Sequence, residues 1–447
     1  GRNREMGKRV RLSQCMIVKN EEKNIEKALS WGKEVVCEQI VVDTGSTDRT
    51  VEIAEQMGAK VFHYKWHNDF AAAKNYAIEQ AAGNWIAFLD ADEYFTQKDA
   101  KQLKIFLRDI SASFPVPDMV TCPWMQLNDE GQIFAVSVQQ RIFRNIPQIR
   151  YENRIHEALS RTDKRHMTQI RTEDKFPIYH TGYTKEAYEE TRKTTRNKEI
   201  LISILKENPE DYINLGYLGD SYFAEGNVEK AEETFREAVA HHSQVPSAAR
   251  NNTSFSSLMR IIYQKNESDA EKEMRMIYDQ FAETGENCPD MEYWMGLGMM
   301  QKRKLKDGIY WLETALKKLE QYQGDESLFI MANQSETYRV LAYANKELGA
   351  LSQSVRYCTI ALRADKKKAM PLALLLQLFA EDQGTTAAAA LEFLSKIYDF
   401  SDVLDRVFVL EVAKKASYPG LEKELSCIMT EEDWKVLEEM QGETQGA

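Results

Sequence analysis

The feature that most constrains this chain is a change in the period of its apolar residues. From Leu12 to about Leu107 short apolar runs alternate with amphipathic segments, whereas beyond about Thr184 strand-like runs disappear and helical spacing takes over. Alternating strands and helices assemble into a sheet covered by helices, while a continuous helical pattern can only pack helix on helix. The two halves cannot share one layer scheme, so the chain divides. Its 447 residues suffice for two or three domains, each able to bury a core. We expect a basic arm over residues 1–11, an α/β domain over 12–200 and an all-α domain over 201–447. No apolar stretch follows Gly1-Arg2-Asn3-Arg4, so a secretory signal is not expected there.

In the first half, strands are read at Leu12–Val18, Gln39–Asp43, Lys60–Tyr64 and Trp85–Asp90, with helices between them, which predicts a mixed, mainly parallel sheet. Gly45-Ser46-Thr47-Asp48 offers N-cap groups to the second helix. The third helix is expected from about Asp69 to Ala82, stopped by Gly83 as a C′ residue. A second tier, Met119 to Tyr183, carries strand-like runs at Val120–Leu127 and Gln132–Val138, joined by the turn Asn128-Asp129-Glu130-Gly131.

In the second half, Leu218-Gly219, Tyr222, Ala231, Phe235 and Ala238 follow the intervals of tetratricopeptide helix pairs, and Met295-Gly296, Met299, Gly308, Leu312 and Ala315 repeat them. Leu341-Ala342, Ser354, Cys358 and Ala361 follow more loosely. Small residues let two helices approach closely while larger ones fill the groove between pairs. A solenoid of such pairs has a concave face suited to an extended peptide. Generic helical bundle packing is the alternative.

Three segments of the first half can carry chemistry. Asp90 and Asp92 close the apolar run Trp85-Ile86-Ala87-Phe88-Leu89 at a carboxyl edge, where open α/β sheets place ligands. In extended chain the two carboxylates point the same way and can share Mg²⁺ or Mn²⁺. An acidic turn capping the next helix is the alternative. Val41-Val42-Asp43-Thr44-Gly45-Ser46-Thr47-Asp48 ends a strand with a carboxylate able to accept from a nucleobase, Gly45 permits close backbone approach, and Ser46 offers a donor at a helix start. A capped turn explains the hydroxyls but not Asp43. Asn68-Asp69-Phe70-Ala71-Ala72-Ala73-Lys74-Asn75 opens the third helix, with Lys74 in reach of a phosphate and Asn75 placed to support the Asp90 loop.

In that order these segments, preceded by Val18-Lys19-Asn20-Glu21 at the end of the first strand, resemble the family 2 glycosyltransferases, over roughly Leu12 to Tyr183. The family's second aspartate after Asp43 is Thr44 here. With the helical tail the chain is similar to the sublancin-type peptide S-glycosyltransferases, on Asn68-Asp69-Phe70, Arg154-Ile155-His156-Glu157 and His180-Thr181-Gly182-Tyr183. The resemblance implies a Rossmann-like GT-A domain that binds a UDP-sugar through Val18, Asn20, Glu21, Asp43, Gly45, Ser46, Lys74, Asn75, Asp90, Ala91 and Asp92. It implies inverting transfer to a peptide or protein side chain, Cys or Ser/Thr. The reaction needs a base, for which Glu157 and then His156 are candidates, with a loop salt bridge as the alternative. His180 offers an imidazole to the metal shell of Asp90 and Asp92; a buried structural histidine is the other reading. Arg141 and Arg144 are expected as acceptor or phosphate contacts. The basic run Arg192 to Lys198 either closes over the diphosphate or forms a solvated helix face.

Composition removes other classes. Lys and Arg total 58 against 70 acidic residues, a net charge of −12, which disfavours nucleic acid. The six cysteines are widely spaced, as expected of reduced thiols in a cytoplasmic protein, and form no zinc pattern. The longest apolar stretch, Ala369 to Ala380, is shorter than the roughly 20 residues that cross a bilayer. Gln14-Cys15-Met16-Ile17-Val18-Lys19 has no glycine, which disfavours a nucleotidyltransferase. A cell-envelope glycan or lipid-linked acceptor, and a repeat scaffold with an inactive catalytic domain, stay open. So does a homodimer through the repeats.

Overall fold

The computed structural model describes residues 9–172, 174–181, 187–324 and 326–444. Most of the basic arm (residues 1–8), Gly182-Tyr183 and the side chain of Arg192 lie outside this description. The chain forms two compact units, Gly1–Asn208 and Pro209–Ala447.

Strands β1 (Leu12–Val18), β2 (Glu38–Asp43), β3 (Lys60–His63) and β4 (Trp85–Phe88) pair in parallel in the order β3-β2-β1-β4. β1 is buried almost throughout because helices cover both faces, which is why it reads as a continuous apolar run. Helices α1 (Ile25–Ser30), α2 (Thr50–Gln56) and α3 (Phe70–Glu79) make the connections. The second tier is part of the same sheet. β5 (Glu93–Tyr94) follows β4, and after α4 (Gln97–Ser111) come the hairpin strands β6 (Met119–Leu127) and β7 (Ile133–Arg144). β7 pairs antiparallel with β4, and the sheet continues through β6 and β11 (Ile178–His180) back to β5, with β10 (Gln169–Arg171) also on β6. Among the described residues, the expected mixed, mainly parallel sheet has nine strands. β8 (Ile149–Glu152) and β9 (Ala158–Arg161) form a separate ribbon, and α5 (Ala187–Glu207) closes the unit.

Several boundaries differ from the sequence reading, each for a local reason. β7 runs on past Val138 to Arg144; the polar triplet Gln139-Gln140-Arg141 hid the continuation into the buried Ile142 and Phe143. α3 is capped by Asp69, which accepts from the Ala72 amide at 2.9 Å, but ends at Glu79. Gly83 is therefore no helix cap. A Cβ there would lie 2.5 Å from Ser13 Oγ and 2.6 Å from Arg11 O, so the glycine is set by the passage of β1. At α2 it is Asp48 that accepts from the Thr50 amide, at 3.0 Å, while Ser46 and Thr47 are used elsewhere. The turn at Asn128 is as expected: its carboxamide accepts from Gln132 N at 2.8 Å and Gly131 has φ +75°.

The second unit is helical. Its matched intervals are the places where paired helices come closest. Gly219, on Tyr212–Ala224, faces Phe235, on Val228–Ala240, so tightly that a Cβ would sit 2.7 Å from the ring. Gly296, on Pro289–Gln301, stands in the same relation to Leu312, on Leu305–Glu320, at 2.6 Å. In the third pair, Gln334–Glu347 with Leu351–Ala364, Ala342 and Cys358 are fully buried and the Ala342 carbonyl accepts from Ser354 Oγ at 2.7 Å. Among the described residues, no helix is long and apolar enough to cross a membrane. Cys15, Cys122, Cys288 and Cys358 are buried, and Cys37 and Cys427 exposed, all as free thiols.

Candidate active site

The carboxyl ends of β1 and β2 are tied together. Asn20 adopts the left-handed conformation at φ +56°; its amide donates to Ser46 Oγ at 2.9 Å, and its side-chain oxygen accepts from Thr47 N at 2.7 Å. Glu21 N donates to Thr50 Oγ1 at 2.7 Å, and Thr44 N donates to Val18 O at 3.0 Å. Asp43 is 5% exposed and accepts from the amides of Gly45 and Ser46 at 3.2 and 3.0 Å, with His63 Nδ1 3.3 Å away. Gly45 has φ +110° and open space where a Cβ would be. Thus the Asp43–Ser46 turn is held by Asp43 itself, and the hydroxyls expected to cap a helix brace the neighbouring loop.

Beside these loops lies a cavity of about 280 Å³. It is lined by Val18, Glu21 and Thr44, by Trp66, Phe70 and Lys74, by Asp90, Ala91 and Glu157, and by Lys193 and Arg196 of α5. A chain of charge begins in that lining, with the Lys74 side chain 4% exposed and that of Asp90 41%. Lys74 Nζ is 2.7 Å from Glu157 Oε1 and 3.9 Å from Asp90 Oδ1, and lies over the rings of Tyr151 and Phe88 at 5.0 and 5.3 Å. Arg141 then bridges Asp90, at 3.0 Å, and Glu93, at 2.7 and 3.0 Å. Burial opposes the charge on Lys74, yet the fields of Asp90, Tyr151 and Glu157 raise its pKa above the usual lysine range. Burial likewise works against an ionised Asp90, and Lys74 and Arg141 overcome it, holding that carboxyl below its usual range.

Asp90 and Asp92, expected to face one cation, pair with different side chains, and the Asp92 charge still opposes ionisation of Asp90. Asp90 is turned onto Arg141 and Lys74, whereas Asp92 Oδ2 lies 3.4 Å from His180 Nε2. Among the described residues, no group of three His, Cys, Asp or Glu side chains is assembled for a metal. The donor chemistry of Asp92 and His180 nevertheless fits a shared cation: the side chains are 11% and 14% exposed, and the imidazole is stacked on Trp124 at 4.4 Å. β11 places His180 opposite Glu93, and Thr181 N donates to Asp92 O at 3.0 Å.

Other expected residues are dispersed. Arg144 pairs with Trp85 at the start of β4, the end of the strand remote from Asp90, and its guanidinium is 3.9 Å from Asp118. Asn75 does not support the Asp90 loop. It clamps β8, donating to Tyr151 O and accepting from Tyr151 N, both at 2.9 Å. His156 is exposed with φ +53°, and its left-handed turn carries the chain onward to Glu157. Glu93 was missed by sequence reasoning, although it directly follows Asp92. It is 1% exposed and accepts from Arg141, from Trp124 Nε1 at 2.9 Å and from the Asp90 amide at 3.0 Å. Trp66 was missed as well, and Phe70 was singled out only as part of its motif; their rings meet edge to face at 4.7 Å, with the Arg196 guanidinium 4.9 Å from Phe70.

The model of the family described as Glycosyl transferase family 2 matches residues 13–171. A TPR repeat-containing protein of Synechococcus elongatus is 30% identical over 241 residues, covering 53% of this chain and 58% of that protein. The SPbeta prophage-derived glycosyltransferase SunS of Bacillus subtilis is 27% identical over 231 residues, covering 51% of this chain and 53% of that one. The chain thus spans little more than half the length of these curated relatives. Among solved structures, S. aureus TarS in complex with UDP-GlcNAc matches at 15% identity over 66% of this chain and 92% of that one, with a TM-score of 0.32.

Proposed function

Taking residues 13–171 as a family 2 glycosyltransferase domain, we propose that the chain moves a hexosyl group from a nucleoside-diphosphate sugar, UDP-linked, onto a Cys or Ser/Thr side chain of a peptide or protein. The single observation that carries this reading is the cavity in which Lys74, Asp90 and Glu157, from separate motifs, meet beside the ends of β1 and β2. Glu157 takes the proton of the acceptor thiol or hydroxyl as its sulfur or oxygen bonds to the anomeric carbon. The bond from that carbon to the diphosphate breaks on the opposite face, and UDP leaves. Lys74 fixes the orientation of Glu157 and balances its charge before the proton arrives. A divalent ion held by Asp92 and His180 would neutralise the leaving diphosphate, and Lys193 and Arg196 add cationic charge at the rim.

The test is Glu157→Gln, assayed with UDP- and GDP-sugars and Mn²⁺, with donor affinity measured separately. Transfer is expected to fall by roughly 100-fold or more, the usual share of a general base, with donor affinity retained. Lost donor affinity with an unchanged transfer step would remove Glu157 from the base role.

A further inference from the structure

A second cavity, of about 830 Å³, lies in the N-terminal unit at the opposite end of β1 from the candidate active site. Leu12, the first residue of β1, lines it, whereas Val18, the last, lines the first cavity, so roughly 20 Å of strand separates the two. The basic arm expected over residues 1–11 ends here. Arg9 and Arg11 line the cavity from the approach to β1, and Lys104 and Arg108, one helical turn apart on α4, line it as well. Val10, Leu12 and Ile105 add apolar surface.

Among the described residues no carboxylate lines this cavity, in a chain whose net charge is −12. The acids that flank the lining in sequence are engaged elsewhere. Glu38 accepts from Ser13 Oγ and the Ala82 amide, both at 2.6 Å, and from Lys60 at 2.8 Å. Asp109 takes Arg108 at 3.2 Å on the surface, the two side chains being 63% and 62% exposed. The side chains of Arg9, Arg11 and Lys104 have no hydrogen-bond or ion-pair partner among the described residues. The backbone beneath them is fixed nonetheless: the Asn84 carboxamide accepts from Arg11 N at 2.8 Å and donates to Arg9 O at 3.0 Å, and Cys37 N donates to Leu12 O at 2.8 Å. Like charges brought together repel, so four cations gathered with no acid among them gain from taking up an anion. Guanidinium forks and a lysine ammonium both suit phosphate oxygens, and the apolar lining suits an organic ester of phosphate.

We propose that this cavity binds a phosphomonoester on Arg9, Arg11, Lys104 and Arg108, presented either by a soluble molecule or by a lipid headgroup. Such a group carries about two negative charges near neutral pH and several strong acceptor oxygens, which matches a cluster of cations better than a single carboxylate does. The site stands apart from sugar transfer and is read without it.

Cys37 lines the cavity and is exposed, so its thiol reports occupancy. The experiment follows alkylation of Cys37 by iodoacetamide in the full chain, located by peptide mass spectrometry. The additions are glycerol 3-phosphate, phosphatidylcholine vesicles with and without phosphatidic acid, and sodium chloride at matched ionic strength. A ligand in the first cavity lies a strand's length away and leaves this thiol uncovered. Protection by glycerol 3-phosphate is expected if the source is soluble, and protection confined to vesicles with phosphatidic acid would assign the lipid headgroup. In R11Q/K104Q the concentration giving half-protection is expected to rise at least about tenfold, the worth of one charge-assisted hydrogen bond. Circular dichroism melting reports whether that variant folds; if it does not, R108Q, whose parent side chain is 62% exposed, is expected to move half-protection the same way. No protection from either source, equal protection by sodium chloride or by phosphatidylcholine alone, or half-protection unmoved in a folded variant would overturn the proposal.

Discussion

Both units bury charge, but they arrange it differently. In the N-terminal unit, Lys74 on α3, Asp90 and Glu93 after β4, Arg141 on β7 and Glu157 between β8 and β9 are linked by ion pairs, and Lys74, Asp90 and Glu157 of that chain line one cavity. In the helical unit, buried pairs close on themselves: Arg406 is bonded twice to Asp433 at 2.8 Å, and Lys318 meets the fully buried Glu292. A closed pair latches one helix to another. A chain of charge ending at a cavity does more, because each member holds the next in position beside open space.

The sharpest test of that contrast is Asp92→Asn. Hydrolysis of a UDP-sugar in the presence of Mn²⁺ is expected to fall about 100-fold or more, with the melting temperature unchanged; turnover within a fewfold of the parent would remove Asp92 from the chemistry. Next comes Lys74→Met, which leaves Glu157 and Asp90 short of a cation. Breaking a buried pair this way typically costs about 3–5 kcal/mol, read as a lower urea midpoint at constant slope, and a loss below about 1 kcal/mol would put the cluster on a par with surface pairs.

A smaller effect belongs to the helical unit. Gly296→Ala places a Cβ 2.6 Å from Leu312 and is expected to lower stability by about 1–3 kcal/mol while donor hydrolysis continues at its parent rate. A matching fall in hydrolysis would erase the distinction between the two units. Smallest is the response to acid at Glu38. Burial alone would raise its pKa, but hydrogen bonds from Lys60, Ser13 and the Ala82 amide bring it down to about 2. A depressed carboxyl adds stability above its unfolded value and loses it as pH falls toward the folded one. The stability gap between the parent and Glu38→Gln should therefore be widest above about pH 4.5 and close toward pH 2, followed by denaturation at stepped pH. A gap that widens in acid would contradict it.

The strands of the parallel core were legible because burial on both faces writes itself as unbroken apolar runs, and the helical pairs because close approach demands small residues at fixed intervals. What stayed hidden was pairing. Nothing local in Gln139-Gln140-Arg141 says that Arg141 is buried against Glu93 and Asp90, since that depends on β7 lying beside β4. Glu93 was overlooked for the same reason: one more acid after Asp92 looks like solvent until Trp124 and Arg141 are folded over it. The likeness of Arg141 and Arg144 in sequence was misleading, because their strand carries them to different ends of β4.

The lock between Asn20, Ser46 and Thr47 has a thermodynamic consequence. Ordering a loop residue costs roughly 1–2 kcal/mol of conformational entropy, and in these two loops the hydrogen bonds between Asn20, Ser46 and Thr47 offset that cost within the fold. On the proposed reading, a nucleotide bound by these loops would have less backbone to freeze, so more of its contact energy would survive as affinity. On that reading Asn20 acts on affinity through the loop disorder that its hydrogen bonds remove.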